Sequence, residues 1–165
     1  MRGHAMCMAL SLAIGCGGGG TLRGAIYEGP EARYRIGELG AGWSRLDLAQ
    51  NDLAWRGDDG AVVQLNATCD PFQDVPLSSL TNHLLIGFTE RDLRAQELVP
   101  LDGREALRSH YLARLDGVPR ELLLYVLKKD ECTYDFALVA PPGASFERAR
   151  PAFERFVAGF TTEAG

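Results

Sequence analysis

Four cysteines, three histidines and a scatter of carboxylates carry what reactive chemistry this 165-residue sequence holds. The cysteines stand at positions 7, 16, 69 and 132. No two form a CxxC pair, and none stands with histidine at a zinc-binding spacing, so neither thiol exchange nor a tetrahedral metal is indicated. His83 falls about one helical turn from Ser79, and His110 falls in an alternating stretch. Nothing ties either imidazole to a nucleophile, which acyl transfer would require. Asp58-Asp59 and Asp130-Glu131 are paired carboxylates at turn signals, where Asp bonds its own backbone. The further oxygen ligands that a calcium loop needs are missing. Gly17 to Gly20 neither follows a strand nor opens a helix, so it is no phosphate cradle, and no G-x-S-x-G elbow occurs. The sequence therefore leads us to expect no enzyme, no catalytic residue, no cofactor and no metal site. Trp43 and Trp55 are expected to pack at a sheet edge rather than bind sugars, and Arg104, Arg108, Arg114 and Arg120 to solubilise strand surfaces.

The N-terminal residues carry a different kind of chemistry. Arg2 and His4 precede the apolar run Ala5 to Ile14. About ten residues cannot cross a bilayer as a helix, which takes about twenty. The run has the length of a signal-peptide core behind a weakly positive start. It ends in Leu12-Ala13-Ile14-Gly15-Cys16, which resembles the lipobox of bacterial lipoproteins, with Ala13 where that pattern most often has Leu. The resemblance implies cleavage after residue 15 and a lipid on Cys16. Residues 16–26, opening with Gly17-Gly18-Gly19-Gly20, are expected to form a flexible tether. Gly17 is not the Asp that signals inner-membrane retention in enterobacterial lipoproteins, which favours the outer membrane by resemblance. A buried N-terminal element or an ordinary secretory peptide cut elsewhere are the alternatives.

Export would put the chain in an oxidising compartment. Cys7 would leave with the leader, Cys16 would be acylated, and Cys69 and Cys132 would remain as an even pair. We expect these two to form a disulfide, with buried free thiols as the alternative. The loop closed would be about 64 residues, worth about 4 kcal/mol by chain entropy.

Positioning falls to one domain, expected over residues 27–162. Hydrophobic residues make up 46% and charged residues 24%, a globular balance. The formal charge is −5, and loss of Arg2 with the leader would make it −6. That balance disfavours nucleic acid and electrostatic docking on anionic lipid. Turn signals at Gly57-Asp58-Asp59-Gly60, Asp102-Gly103, Asp116-Gly117 and Lys129-Asp130-Glu131 separate β-rich stretches. Strands are expected over 33–38, 53–56, 61–68, 97–101, 105–115, 121–128 and 133–140. The almost continuously apolar 121–128 is expected to be central and covered on both faces. A helix is expected from Leu77 to Phe88, with Pro76 at its start and Asp74 as a possible cap. A second is expected from Phe146 to Phe160, with Ser145 as N-cap and Pro151 kinking it or delaying its start.

The expected class is α+β: an antiparallel meander with one early and one C-terminal helix. Gly42-Trp43, the Leu80 to Leu84 helix, the hairpin series and the terminal Phe153-Glu154-Arg155-Phe156-Val157-Ala158-Gly159-Phe160 resemble the PsbP-like fold of photosystem extrinsic proteins and several bacterial lipoproteins. Members mostly bind proteins or join larger complexes. The resemblance implies a membrane-anchored envelope module facing the periplasm, with the bilayer as one partner through Cys16 and an envelope protein as another. A carrier or sensor of a small apolar ligand, held between sheet and helix, is the alternative, and an enzyme the third.

Overall fold

The computed structural model describes residues 19–70 and 74–163. The expected leader (1–15) and Cys16 lie outside the described residues.

Ten strands and two helices alternate unevenly: β1 (Thr21–Arg23), β2 (Ile26–Glu28), β3 (Arg33–Arg35), β4 (Trp43–Leu46), β5 (Leu53–Gly57), β6 (Val62–Cys69), α1 (Leu77–Leu84), β7 (Phe88–Leu101), β8 (Arg104–Leu115), β9 (Val118–Lys129), β10 (Cys132–Ala140) and α2 (Ala144–Ala158). The first three make a small antiparallel sheet. The other seven form one sheet in the order β4-β5-β6-β10-β9-β8-β7. It is two meanders joined at an antiparallel β6–β10 seam, so β10 enters between β6 and β9 where a plain meander would not put it. Three expectations shift here. Thr21–Arg23, placed in the tether, pairs with Ile26–Glu28 instead. Arg33–Arg35 belongs to the small sheet, not the large one. β7 begins nine residues before the expected 97. Its charged run Glu90-Arg91-Asp92 hides the strand from a hydrophobicity reading. As an edge strand it needs no buried face, and register shifts between Thr89/Asp92 and Leu93/Ala95 bend it.

The Asp-Gly turns behave as their chemistry demands. Asp102 and Gly103 have φ of 48° and 74°, Asp116 and Gly117 of 50° and 77°. Both residues of each two-residue loop are left-handed, which matches the twist of the paired strands. β9 is central, and Glu121 through Leu127 are buried. Leu123, Tyr125 and Leu127 join the larger core with Phe136, Leu138, Phe146, Phe153, Phe156 and Phe160. Leu122 and Leu124 join a smaller one with Leu85, Tyr111 and Ala113. The period of two thus gives each face of the sheet its own core.

α2 seals the larger core. It begins at Ala144, two residues before the expected Phe146, and runs through Pro151. Ser145 is not its cap: its hydroxyl donates to the Asp59 carbonyl. The N-cap is Gly143, at φ 78°, whose N–H donates to Glu121 Oε2 at 2.9 Å. α1 stops at Leu84, not Phe88, because Gly87 turns left-handed at φ 89° and the chain enters β7. Asp74 does not cap it; Pro76 holds that place with no side-chain bond.

Two fastenings hold the ends. Cys69 and Cys132 form the expected disulfide across the β6–β10 seam, with Cα atoms 3.9 Å apart. At the C-terminus, Asp102 collects Lys129 Nζ at 2.9 Å, the Thr161 hydroxyl at 2.8 Å and both the N–H and hydroxyl of Thr162 at 2.8 and 2.9 Å. Burial alone would raise the Asp102 carboxyl; these donors hold it below the usual carboxylate range. Gly37 lies against the end of α2, its N–H donating to the Phe156 carbonyl at 3.0 Å. A Cβ there would collide with the Arg155 carbonyl oxygen. Gly37→Ala is therefore expected to cost about 1–3 kcal/mol in a denaturant melt, the usual range for overpacking. An unchanged midpoint would refute the close approach.

Candidate functional site

The two faces of the large sheet are covered unequally. The fifteen residues of α2 close one face with a row of buried phenylalanines. The eight residues of α1 cover only part of the other. The uncovered part is a cavity of about 360 Å³. Its walls are apolar: Val62 of β6, Leu84 of α1, Phe88 of β7, Leu115 of β8, Leu122 and Leu124 of β9, and Ala137 and Val139 of β10. Register gives the cavity a direction. Asp135 stands opposite Asn66, and Val139 stands opposite Val62 and Leu122. Asp135 and Asn66 thus mark one end, while Gly60, Leu115 and Arg120 mark the other. At Leu115 the apolar lip continues to its cross-strand partner Val118, 46% exposed, and Ile86, two residues after Leu84, is 73% exposed.

The polar end is built unevenly. Asn51 Nδ2 donates to both Gln64 Oε1 and Asn66 Oδ1, at 3.3 and 3.2 Å. Asn66 Oδ1 also accepts from the Asp52 N–H at 3.0 Å. Those amides are held from outside the cavity. Asp135 has no such support. Its Oδ1 is sealed from solvent and finds no hydrogen-bond partner among the described residues, although the side chain as a whole keeps some surface. Burial pushes its carboxyl up to about 7. This is the residue that sequence reasoning missed. In an alternating strand, Asp135 reads as the solvent-facing neighbour of Phe136; in the fold it forms part of the cavity wall, with its Oδ1 buried.

The residues singled out from sequence are scattered. His83 and Ser79 lie exposed on α1. His110 is not isolated: its Nε2 lies 2.8 Å from Glu121 Oε1, and its ring stacks on Phe146 at 5.1 Å. With Glu121 also holding Gly143, this pair ties β8 and β9 to the start of α2. Asp58 and Asp59 sit in the β5–β6 turn, where Asp59 Oδ1 accepts from the Ala61 N–H. Asp130 and Glu131 form the β9–β10 turn, both left-handed. Trp43 and Trp55 pack at the β4 edge, Trp55 edge-on to Phe156 at 5.3 Å with Arg45 over its other side. Arg108 departs from the solubilising role. It bonds the Tyr125 hydroxyl, Glu97 and Glu154, and so braces α2 on the sheet. No cluster of metal-binding side chains occurs among the described residues, and no helix among them is long and apolar enough to cross a membrane.

No protein-family model matches the chain, and no curated protein matches it. Solved structures do. LpqN of Mycobacterium tuberculosis, described as involved in cell envelope biogenesis, aligns at TM-score 0.57 and 11% identity, over 80% of this chain and 84% of its own. CyanoP, the cyanobacterial PsbP of Synechocystis sp. PCC 6803, aligns at TM-score 0.53 and 17% identity, over 73% of this chain and 81% of its own. The fold is PsbP-like. A structure from Bacteroides thetaiotaomicron aligns at TM-score 0.55 and 10% identity over 79% of this chain, which spans only 45% of that longer protein. At these identities what is shared is architecture, and architecture does not specify activity.

Asp135 makes a testable demand on stability. The unfolded carboxyl releases its proton in the ordinary carboxylate range, the folded one near 7. The stability it contributes is therefore complete in acid and falls as pH rises toward 7. Asp135→Asn is expected to be more stable than the parent by about 1–2 kcal/mol in mild base, the cost of an unpaired buried polar group, with the difference shrinking in acid. A difference that grows in acid would show that the carboxylate has a partner.

Proposed function

We propose that this chain is an exported, lipid-anchored accessory module of the bacterial cell envelope that acts by binding and not by catalysis. Its anchor is an acylated Cys16, and the glycines that follow let the domain stand off the membrane. One acyl chain holds a protein only marginally, whereas the several chains of a lipoprotein hold it stably. The fold shared with LpqN, a protein described as involved in cell envelope biogenesis, supports the compartment. A disulfide across the β6–β10 seam suits an oxidising one.

The observation that carries the binding role is the half-covered sheet. An apolar cavity, with exposed Val118 paired to its Leu115 and exposed Ile86 two residues from its Leu84, is a surface that water disfavours and a partner would cover. The primary reading is an envelope protein docking at this lip. A small apolar ligand is the second, favoured by the cavity's size and by its enclosure between sheet and helix. Catalysis is not proposed, because the histidines do not address the cavity: His83 is exposed on α1, and His110 is committed to Glu121 on the other face.

Two experiments test these halves. Cys16→Ser is expected to abolish acylation and move the protein from the membrane fraction to the periplasmic one; unchanged retention would refute the tether. Ile86→Asp is expected to reduce recovery of a co-purifying envelope protein about tenfold, as loss of an apolar anchor does. Equal recovery would place docking elsewhere.

A further inference from the structure

The cavity has a polarity along its length, and that polarity specifies a ligand more narrowly than its walls do. From Asp135 to Val139 the floor runs four residues along β10, about 13 Å of strand. Ala137, Leu124, Val139 and Leu122 line that path, and Leu115 and Phe88 stand beyond. A carboxyl group and two amides lie at one end, hydrocarbon lines the middle, and Arg120 stands at the far end.

We infer that the cavity binds a small amphiphilic amine, its ammonium group on the Asp135 carboxylate and its alkyl portion along Ala137, Leu124, Val139 and Leu122 toward the lip. The inference rests on the small-ligand reading of the site given above and names the class of that ligand.

Asp135 lines the cavity and keeps part of its surface there, while its sealed Oδ1 has no donor among the described residues. An ionised carboxylate in that position pays its desolvation without return unless a cation enters with it. An ammonium supplies both the charge and the hydrogen-bond donors, and charge-assisted bonds are the strong ones. A carboxylate or phosphate ligand would instead set two like charges together in a site with little water. Neighbouring polar groups do not meet the need. The oxygens of Gln64 and Asn66 accept from Asn51 and cannot donate, and neither amide nitrogen bonds Asp135 Oδ1. Charges on the packed elements are engaged or distant. Lys128, two residues along β9 from the partner of Asp135, donates to the Val75 carbonyl and lies 3.7 Å from Asp74. Arg120, on the same strand, sits six residues from that partner, about 20 Å of strand, where solvent screens it. His83 of α1 is exposed. Burial raises the carboxyl to about 7, and a cation on it would draw it back down, so binding should release a proton near neutrality.

The test uses the mature, disulfide-bonded protein with octylamine, octanol and octanoate as probes, followed by calorimetry and by methyl shifts of Leu122, Leu124 and Val139. Octylamine is expected to bind and to shift those methyls. Its affinity is expected to fall about thirtyfold between about pH 8 and about pH 5.5, as the carboxyl takes up its own proton. Octanol is expected to bind more weakly, and octanoate least. Asp135→Asn, nearly isosteric, should remove the preference for the amine and its pH dependence while the fold is retained. Ala137→Phe, which fills the floor, should exclude all three probes. Octanol or octanoate binding as tightly as octylamine would overturn the amine assignment and leave the cavity as an apolar site. Octylamine affinity that is unchanged in Asp135→Asn would overturn it in the same way. If no probe moves the cavity methyls, both this inference and the small-ligand reading fail.

Discussion

A sheet of seven strands has two apolar faces, and this chain brings unequal helices to cover them. Burial of apolar surface is the main favourable term in folding. α2 spends its buried phenylalanines on one face, and Phe136, Tyr134 and Leu138 meet them there. The other face receives α1, a single short crossover between β6 and β7. A helix of eight residues rises about 12 Å, too short to cover a seven-stranded face. The cavity and the exposed lip both follow from that shortage.

The well-covered side is also the well-fastened side. Glu121 and His110 tie the strands to the start of α2, Arg108 braces its middle through Glu154, and Asp102 clasps the residues after it. Gly37 closes against its last turn. On the opposite face, Lys128 reaches only Val75 and Asp74 ahead of α1. Rigidity is concentrated on one face and accessible apolar surface on the other.

Much of the architecture was legible in the residues. Period-two alternation marked β8 and β10, and the unbroken apolar run marked β9 as central. Both Asp-Gly pairs announced hairpins, because few residues accept left-handed backbone so readily. The phenylalanine spacing marked α2. What escaped was local weakness overruled by pairing. β1 and the first half of β7 have no hydrophobic pattern of their own and exist because a neighbouring strand supplies their hydrogen bonds. Arg108 looked like a surface charge because its partner Glu154 lies 46 residues away.

By itself the sequence determined the composition of each face, the turn chemistry, the helix stripes and the pairing of Cys69 with Cys132, since these depend on neighbours along the chain or on counting. It also carries the lipobox-like Leu12 to Cys16, a feature read by residue type alone. The tertiary structure decided which face stays open. A single strand cannot reveal which of its sides a distant helix will cover. Only the assembled sheet, with β10 inserted between β6 and β9, turns Asp135 from an ordinary outward-pointing carboxylate into one whose Oδ1 is buried.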